Sequence, residues 1–281
     1  MSAPLPQIAT VSTVLVTGAA KRLGREIALK LAANGWRVAV HYRDSVEEAR
    51  QTVADCSRLT PGAQAFRSNL GNETAVRHLL PTVIESFGQV DAVVNCASTF
   101  EHDTAATFSF EVMEKHMRSN AGAAILISQA LHTHIVERRK TQPDACGVVV
   151  NLLDQKLWNQ TPDFVSYTLS KAALDAANSM LALALRPLVR VVGVAPVMGQ
   201  HQPLLMGEKL EERSASLPEN HRVTDLDTKA AVLLALKEGS ITGTTLLVEE
   251  ELPKDKPQAS APAAEPPPAP FVPPARRQGR R

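Results

Sequence analysis

Short apolar runs alternate with segments of helical periodicity along most of the chain. The apolar runs have hydrophobic residues at successive positions, which predicts strands that are buried on both faces. The segments between them repeat hydrophobic residues at helical spacing, as Ile27, Ala28 and Leu31 do, which is typical of amphipathic helices. The predicted strands cover residues 13–16, 38–41, 65–68, 92–95, 147–152, 190–194 and 244–248, and the predicted helices cover residues 25–34, 46–59, 73–87, 111–135 and 167–185.

This alternation predicts an α/β fold, a single doubly wound Rossmann-type parallel sheet with helices on both faces. The 281 residues of the chain are within the range of one large α/β domain. Ligands of such sheets bind at the carboxyl ends of the strands. We therefore expect the functional residues to follow the strands directly.

The C-terminal end of the chain differs in composition from the rest. Nine of the 19 prolines fall in residues 252–281, and this segment has a net charge of +4 and one aromatic residue, Phe271. Such a composition cannot bury enough apolar surface to offset the entropy of ordering the segment. We expect residues 1–251 to form the folded domain and residues 252–281 to be a disordered, basic, Pro/Ala-rich tail. The tail could recruit a polyproline-reading or acidic partner, but a solvated extension without a partner is the preferred interpretation.

Charge and cysteine content narrow the class of protein. The formal net charge of +1 excludes a bulk polycation that adheres to nucleic acid or membranes, and no apolar stretch reaches the roughly 18 to 20 residues that a membrane span needs. The scattered Cys56, Cys96 and Cys146 predict no disulfide framework, and the N-terminus lacks a basic leader, so a cytoplasmic protein is expected. The histidines lack metal-ligand spacing, and no metal site is predicted.

A glycine-containing turn follows the first predicted strand. It reads Thr-Gly-Ala-Ala-Lys-Arg-Leu-Gly over residues 17–24, with Arg22 where a middle glycine would be expected. Glycines at a strand-to-helix turn let the backbone approach a phosphate, which the free N–H groups of the helix start then bind. The position of Gly18 and Gly24 therefore predicts a dinucleotide phosphate site.

The end of the second strand predicts the cofactor type. NAD sites usually place an acidic residue there, whereas sites for NADP substitute cations. No acid occurs before Asp44, and Arg22, His41 and Arg43 are available for a 2′-phosphate, which favours NADPH. The alternative is that Arg22 and Arg43 are solvated loop charges.

Tyr167 and Lys171 are four residues apart, so both project from the same face of the predicted helix. A lysine cation near a phenol favours the phenolate and is expected to lower the pKa of the tyrosine. Such a tyrosine can donate or accept a proton near neutral pH. Asp154, which follows a fully apolar strand, is the third candidate for this chemistry.

The set TGAAKRLG (17–24), NCAS (95–98), Asn120 within a helix and YTLSK (167–171) resembles the short-chain dehydrogenase/reductase family over roughly residues 11–250. The sequence is most similar to the pteridine reductase branch. In that branch an HY dipeptide ends the second strand, and an aspartate stands thirteen residues before the tyrosine, as Asp154 does before Tyr167.

The resemblance implies roles for eighteen residues. Asp154, Tyr167, Lys171 and Asn120 would be catalytic, with Asn120 supporting a proton-relay water and Lys171 also binding the nicotinamide ribose. The implied cofactor-binding residues are Gly18, Arg22, Leu23, Gly24, His41, Tyr42, Arg43, Asn69, Leu70, Asn95, Ala97 and Lys171. The implied substrate-binding residues are Arg22, Ser98, Phe100, Asp154, Phe164 and Tyr167. The family also implies a homo-oligomer, a tetramer or a dimer.

The chemistry of Asp154 favours a nitrogen heterocycle as substrate. A serine can donate a hydrogen bond to a ketone oxygen, whereas an ionised aspartate only accepts. Asp154 would therefore suit the N–H donors of a pterin, and Phe100 would stack on its flat ring. The leading hypothesis is an NADPH-dependent reductase of dihydropterin or dihydrofolate. A carbonyl reductase of the same family and an NADPH-binding sensor or scaffold remain alternatives, and Asp154 could instead only cap a backbone N–H.

The sequence departs from the family pattern at four places. Cys96 replaces an asparagine and is interpreted as a small buried hydrophobe, and Asn69 replaces an aspartate that contacts adenine. Pro196-Val197 replaces a Pro-Gly pair beside the nicotinamide, and Glu249-Glu250-Glu251 replaces a diglycine in a segment that often lies at a subunit interface.

Overall fold

The computed structural model describes residues 11–196, 222–223 and 227–248. These residues contain eight strands in one sheet, in the order β3-β2-β1-β4-β5-β6-β8-β7, and every neighbouring pair is parallel. The strands are β1 (Thr13–Val16), β2 (Arg37–Tyr42), β3 (Gln64–Arg67), β4 (Ala92–Asn95), β5 (Gly147–Leu152), β6 (Val189–Pro196), β7 (Arg222–Val223) and β8 (Thr245–Val248). The predicted doubly wound parallel sheet is confirmed.

Helices cover both faces of the sheet. They are α1 (Arg22–Ala32), α2 (Val46–Leu59), α3 (Glu73–Phe87), α4 (Phe110–His116), α5 (Ala123–Arg138), α6 (Val165–Ala184) and α7 (Thr228–Lys237). Apolar residues of α1, α2 and α7 form one core layer with the sheet, and those of α3 and α5 form the other. The central strands β1, β4 and β5 are buried at every position, which explains their valine-rich runs.

The region predicted as one helix over residues 111–135 consists of three helical segments in the structure. A π-helical stretch, Met117–Gly122, joins α4 to α5. The hydrophobic pattern does not predict α7 or β7. The predicted tail over residues 252–281, the run Glu249–Glu251 and Val197 lie outside the described residues, so the domain boundary at residue 251 stays a prediction.

The order of the strands reverses between β1 and β4. The backbone N–H groups of Cys96 and Ala97, just after β4, both donate to Thr17 Oγ1 at the end of β1, at 2.9 and 3.0 Å. In open parallel sheets, a crevice forms at such a switch point and binds the ligand. The fold therefore places a binding site beside Gly18 and Ala97.

Candidate active site

A cavity of about 580 Å³ opens at this switch point. Loops that follow β1, β2, β3, β4 and β5 line it, together with the first turns of α6. Fifteen of the eighteen predicted site residues line the cavity: Gly18, Arg22, Leu23, Gly24, His41, Tyr42, Arg43, Asn69, Leu70, Ala97, Ser98, Phe100, Asp154, Tyr167 and Lys171. Asn95, Asn120 and Phe164 are not among the lining residues.

The turn after β1 requires its two glycines. Gly18 has φ +66°, and a Cβ on it would lie 2.9 Å from the Cα of Ala97. A Cβ on Gly24 would collide with the carbonyl oxygen of Gly18. Arg22 adopts φ +53°, the left-handed region that favours glycine, at the position where a middle glycine would be expected. The turn thus keeps a glycine-type backbone while Arg22 adds a cation to the cavity.

His41 was predicted to be available to a phosphate, and the structure corrects this. The ring is only 2% exposed, its Nδ1 accepts a hydrogen bond from the Gly18 N–H at 3.0 Å, and its Nε2 lies 3.1 Å from the Ser68 carbonyl oxygen. Burial lowers the pKa of His41 to about 4, so the ring is neutral at physiological pH. His41 therefore holds the glycine turn rather than supplying positive charge.

Arg22 and Arg43, the two predicted phosphate-binding cations, are both exposed and line the cavity near the end of β2. Arg43 is 60% exposed and pairs with Asp44 at 2.6 Å, a surface ion pair of the kind that contributes little to stability. Asn69 is also exposed, and its Oδ1 accepts a hydrogen bond from the Gly71 N–H at 3.0 Å. Both guanidinium groups therefore lie at the solvent-facing side of the cavity.

Tyr167 and Asp154 are in direct contact at the base of the cavity. The phenol of Tyr167 donates a hydrogen bond of 2.6 Å to Asp154 Oδ2, while Asp154 Oδ1 accepts from the backbone N–H of Lys156 at 2.8 Å. Asp154 is thus both the partner of the tyrosine and the cap of a short 3₁₀ turn, Gln155–Leu157. Lys171 donates to the Leu152 carbonyl oxygen at 2.7 Å.

The predicted effect of Lys171 on Tyr167 is wrong in this structure. Burial and the Asp154 carboxylate raise the pKa of Tyr167 well above 10. Lys171 Nζ lies 5.8 Å from the centre of the Tyr167 ring and is engaged with a backbone carbonyl, whereas the carboxylate touches the phenol. Burial also raises the pKa of Asp154 and lowers the pKa of Lys171. The phenol is therefore held protonated, as a proton donor requires.

Asn120 lies in the π-helical segment and is 3% exposed. Its Nδ2 donates to the Thr99 carbonyl oxygen at 3.0 Å and to Ser170 Oγ at 2.9 Å, and its Oδ1 accepts from the Thr99 N–H at 2.7 Å. These bonds join the loop after β4 to α6. These contacts give the Asn120 side chain a positioning role, and its support of a proton-relay water stays a prediction.

Asn95 does not line the cavity as predicted, because its side chain is buried in a hydrogen-bonded chain of amides. Its Nδ2 donates to Asn151 Oδ1 at 2.8 Å, and Asn151 in turn donates to Asn178 Oδ1 at 3.1 Å. Asn95, Asn151 and Asn178 are 6%, 0% and 1% exposed. This buried amide chain links β4, β5 and α6 below the site.

The two predicted substrate aromatics differ in position. Phe100 lines the cavity, and its ring meets the Tyr167 ring edge-on at a centroid distance of 4.6 Å. Phe164 is 7% exposed and stacks behind Phe100 at 4.3 Å. The prediction that Phe164 lines the pocket is corrected: it supports the aromatic that does. Ser98 is exposed at the cavity and donates to the Thr99 carbonyl oxygen at 3.2 Å.

Two residues that organise the site, Thr17 and Asp103, were not predicted from the sequence. Thr17 accepts the two backbone hydrogen bonds that close the switch point, and a threonine directly after a buried strand was the available signal. Asp103, 2% exposed, binds the segment just before Tyr167, and nothing in its local sequence shows this. Cys96, interpreted as a small buried hydrophobe, is half-buried and lines the cavity, and burial raises the pKa of its thiol to about 11.

The cysteines are all free, and within the described ranges no group of three or more His, Cys, Asp or Glu side chains is arranged to hold a metal ion. No helix among the described residues has the length and apolar character to cross a membrane.

Comparison with known proteins assigns the chain to a family. It matches the model of the short chain dehydrogenase family over residues 12–206. Pteridine reductase 1 of Leishmania tarentolae is 27% identical over 276 residues, covering 85% of this chain and 96% of the relative. 3beta-hydroxysteroid dehydrogenase 1 of Eggerthella lenta is 27% identical over 246 residues, covering 84% and 92%.

A solved structure shares both the fold and part of the sequence. The FolM alternative dihydrofolate reductase 1 from Brucella canis, complexed with NADP, superposes with a TM-score of 0.70 at 29% identity, covering 85% of this chain and 93% of that chain. With the glycine turn and the Tyr167–Lys171 pair in place, the chain belongs to the short-chain dehydrogenase family and is an NAD(P)-dependent oxidoreductase.

Proposed function

We propose that the protein is an NADPH-dependent reductase of a dihydropterin or dihydrofolate-type substrate. The observation that carries this proposal is the hydrogen bond of 2.6 Å between Tyr167 and Asp154 at the base of the cavity. It places an acceptor-only carboxylate beside the proton donor, where a ketone reductase would be better served by a hydroxyl group.

The residues present fit a dinucleotide with a 2′-phosphate. The Gly18–Gly24 turn leaves room that any Cβ would fill, and its helix start supplies free N–H groups. Arg22 and Arg43 are exposed cations beside the end of β2, and the first acid there, Asp44, is paired with Arg43. Bound NADPH would supply the hydride, and the similarity to a reductase complexed with NADP supports this choice.

Asp154 would recognise the substrate through the lone pairs of its oxygens that no protein group uses. The carboxylate is 1% exposed and binds Tyr167 with one oxygen and the Lys156 N–H with the other. Carboxylate oxygens each accept more than one hydrogen bond, so amino and ring N–H donors of a pterin can still approach. A carbonyl oxygen that gains negative charge would instead be repelled while Asp154 is ionised.

Tyr167 would give a proton to the reduced bond. Its raised pKa holds the phenol neutral, and Asp154 opposes the phenolate that donation creates. A proton on Asp154 would remove this opposition, and burial favours that proton by raising the pKa of the carboxyl. The ionised carboxylate therefore suits binding of the substrate N–H donors, and the protonated carboxyl suits proton donation by Tyr167. Phe100, next to Tyr167, offers a flat apolar surface to a bicyclic ring.

The direct test is a substrate panel with NADPH and NADH in parallel, followed by the loss of reduced-nicotinamide absorbance. We expect turnover of dihydrobiopterin, dihydromonapterin or dihydrofolate, and faster turnover with NADPH than with NADH. No turnover of these three, together with reduction of acetoacetyl thioesters or sugars, would overturn the pterin assignment and leave the family assignment intact.

The second candidate is a carbonyl reductase of the same family. The raised pKa of Asp154 is the observation that favours a carbonyl reductase, because a protonated carboxyl can donate a hydrogen bond to a ketone oxygen. The same panel separates the two candidates, since a carbonyl reductase would turn over the ketones and leave the dihydropterins unchanged.

A further inference from the structure

The N-terminus of α6 lacks a cap from its own sequence. The residue at the cap position is Phe164, whose side chain cannot accept a hydrogen bond. Its backbone has φ +59°, a left-handed conformation that is strained for a bulky side chain. This turn comes three residues before Tyr167, so whatever stabilises it also decides where the phenol lies.

Asp103 supplies the missing cap from the loop after β4. Its carboxylate accepts hydrogen bonds from the Ser166 N–H at 3.1 and 3.2 Å and from Ser166 Oγ at 2.5 Å. Its backbone carbonyl oxygen accepts from the Phe164 N–H at 2.7 Å. Asp103 and Ser166 are 2% and 0% exposed, so these bonds are shielded from water. An acidic side chain at a helix N-terminus is also stabilised by the helix dipole.

The contact joins the two segments that carry the aromatic wall and the proton donor. An isolated antiparallel bridge between Thr104 and Asp163, the residues next to Asp103 and Phe164, extends the contact between the two segments. One segment carries Phe100, and the other carries Phe164 and Tyr167, and the Phe100 ring contacts both of the other rings. Asp103 does not line the cavity, so it would act only through these residues.

We propose that Asp103 is a positioning residue that holds the strained turn at Phe164 and thereby fixes Tyr167 against Asp154. The proposal rests on the role of Tyr167 as proton donor in the proposed function, but not on the identity of the substrate. Removal of the Asp103 carboxylate frees the first turn of α6, and the phenol loses its fixed distance to Asp154. Cofactor binding at the Gly18 turn is unaffected, because none of the Asp103 contacts reaches that turn.

The test uses Asp103→Ala, Asp103→Asn and Ser166→Ala in the full-length chain, with the exposed Glu111→Gln as matched control. We expect kcat to fall at least ten-fold in Asp103→Ala, less in Asp103→Asn and least in Ser166→Ala, with the dissociation constant for NADPH within two-fold of the wild type. Glu111→Gln should keep wild-type values. Circular dichroism identifies the folded variants, and the two milder substitutions decide the result if Asp103→Ala does not fold.

A second readout needs no substrate. The chain has two tyrosines, so tyrosinate absorbance in a Tyr42→Phe background reports Tyr167 alone. We expect Asp103→Asn to move the onset of Tyr167 ionisation to lower pH, because the phenol leaves the carboxylate and gains water. Wild-type kcat and titration in folded Asp103→Asn and Ser166→Ala would overturn the proposal. So would a parallel loss of kcat and NADPH affinity. An inactive wild type on dihydropterins, with the titration shift intact, would count against the proposed function only.

Discussion

Tyr167 and Asp154 share a short hydrogen bond inside the protein, so the charge on one decides how readily the other releases its proton. Burial alone would raise both pKa values, and the carboxylate raises that of the phenol further. Lys171, which the sequence predicted to act on the phenol, is bonded to a backbone carbonyl instead. The site therefore favours proton donation over proton abstraction.

This pair predicts the pH dependence of reduction. The negative charge on ionised Asp154 opposes proton donation by Tyr167. Because burial raises the pKa of Asp154, this carboxyl is protonated at a higher pH than a free aspartate. We expect kcat at saturating substrate to rise as the pH falls across the neutral range, the opposite of what a catalytic base shows. KM for the dihydropterin should rise as well, because protonated Asp154 offers the substrate N–H donors fewer acceptor lone pairs. Steady-state kcat measured across this range with saturating NADPH checks it. An Asp154→Asn variant should lose the dependence, and a kcat that rises with pH would contradict the account.

Because His41 is buried, the free energy of unfolding is expected to fall in mild acid. Its folded pKa of about 4 lies below the ordinary value of 6.5, so the neutral ring stabilises the fold above about pH 6.5, and this stability is lost as the pH falls towards 4. The shift corresponds to a loss of about 2 kcal/mol in the free energy of unfolding between about pH 7.5 and about pH 5.

Urea unfolding of the wild type and His41→Gln at these two pH values measures the effect. The loss should shrink in His41→Gln and persist in His78→Gln, which changes an exposed histidine. An equal loss in His41→Gln and the wild type would show that the stability does not depend on the buried ring.

At the scale of elements, the turn between β1 and α1 combines a glycine-type backbone with a charged side chain. Arg22 has φ +53° and faces the cavity. A glycine there would relieve strain of about 1 kcal/mol, but it would increase the entropy of the unfolded chain by a similar amount. The free energy of unfolding should therefore change little on Arg22→Gly.

The affinity for the cofactor should change much more. A hydrogen bond between a guanidinium and a phosphate contributes about 1.5–3 kcal/mol, so we expect KM for NADPH to rise about ten-fold or more in Arg22→Gly while KM for NADH changes little. Arg22→Gln, which keeps the strained backbone but removes the charge, should behave in the same way towards NADPH. An unchanged preference for NADPH in both variants would show that Arg22 is only a solvated loop charge.

Elements with a local signal were predictable, and those set by distant contacts were not. The strands β1, β4 and β5 are rich in valine because both of their faces are covered, and the sequence shows these apolar runs directly. The π-helical segment at Met117–Gly122 has no such signal, because its surroundings keep helical spacing. The cap that Asp103 places on α6 depends on a residue 63 positions away, which no local pattern records.

The same limit applies to the site residues. Gly18, Arg22, Tyr167 and Asp154 line the cavity as predicted, because their spacing fixes where they follow the strands. His41 also follows a strand, but its burial and its bond to Gly18 depend on how the neighbouring loops fold. A residue's position was therefore easier to predict than its charge or its partner.

At the scale of the whole molecule, one sheet brings the loops after five of its strands together around the candidate active site. The near-neutral charge of the chain divides into a slightly acidic body and the basic segment over residues 252–281. The cations that matter for the proposed function, Arg22 and Arg43, belong to the body and lie at the cavity. The homo-oligomer expected from the family resemblance stays a prediction.

The central claim is that Asp154 selects a nitrogen heterocycle over a ketone. The most direct measurement is kcat/KM for a dihydropterin and for a ketone, such as an acetoacetyl thioester, in the wild type and in Asp154→Ser with NADPH. We predict that the wild type prefers the dihydropterin and that Asp154→Ser loses this activity and gains activity on the ketone. A wild type that prefers the ketone, or an Asp154→Ser variant with an unchanged preference, would contradict the account.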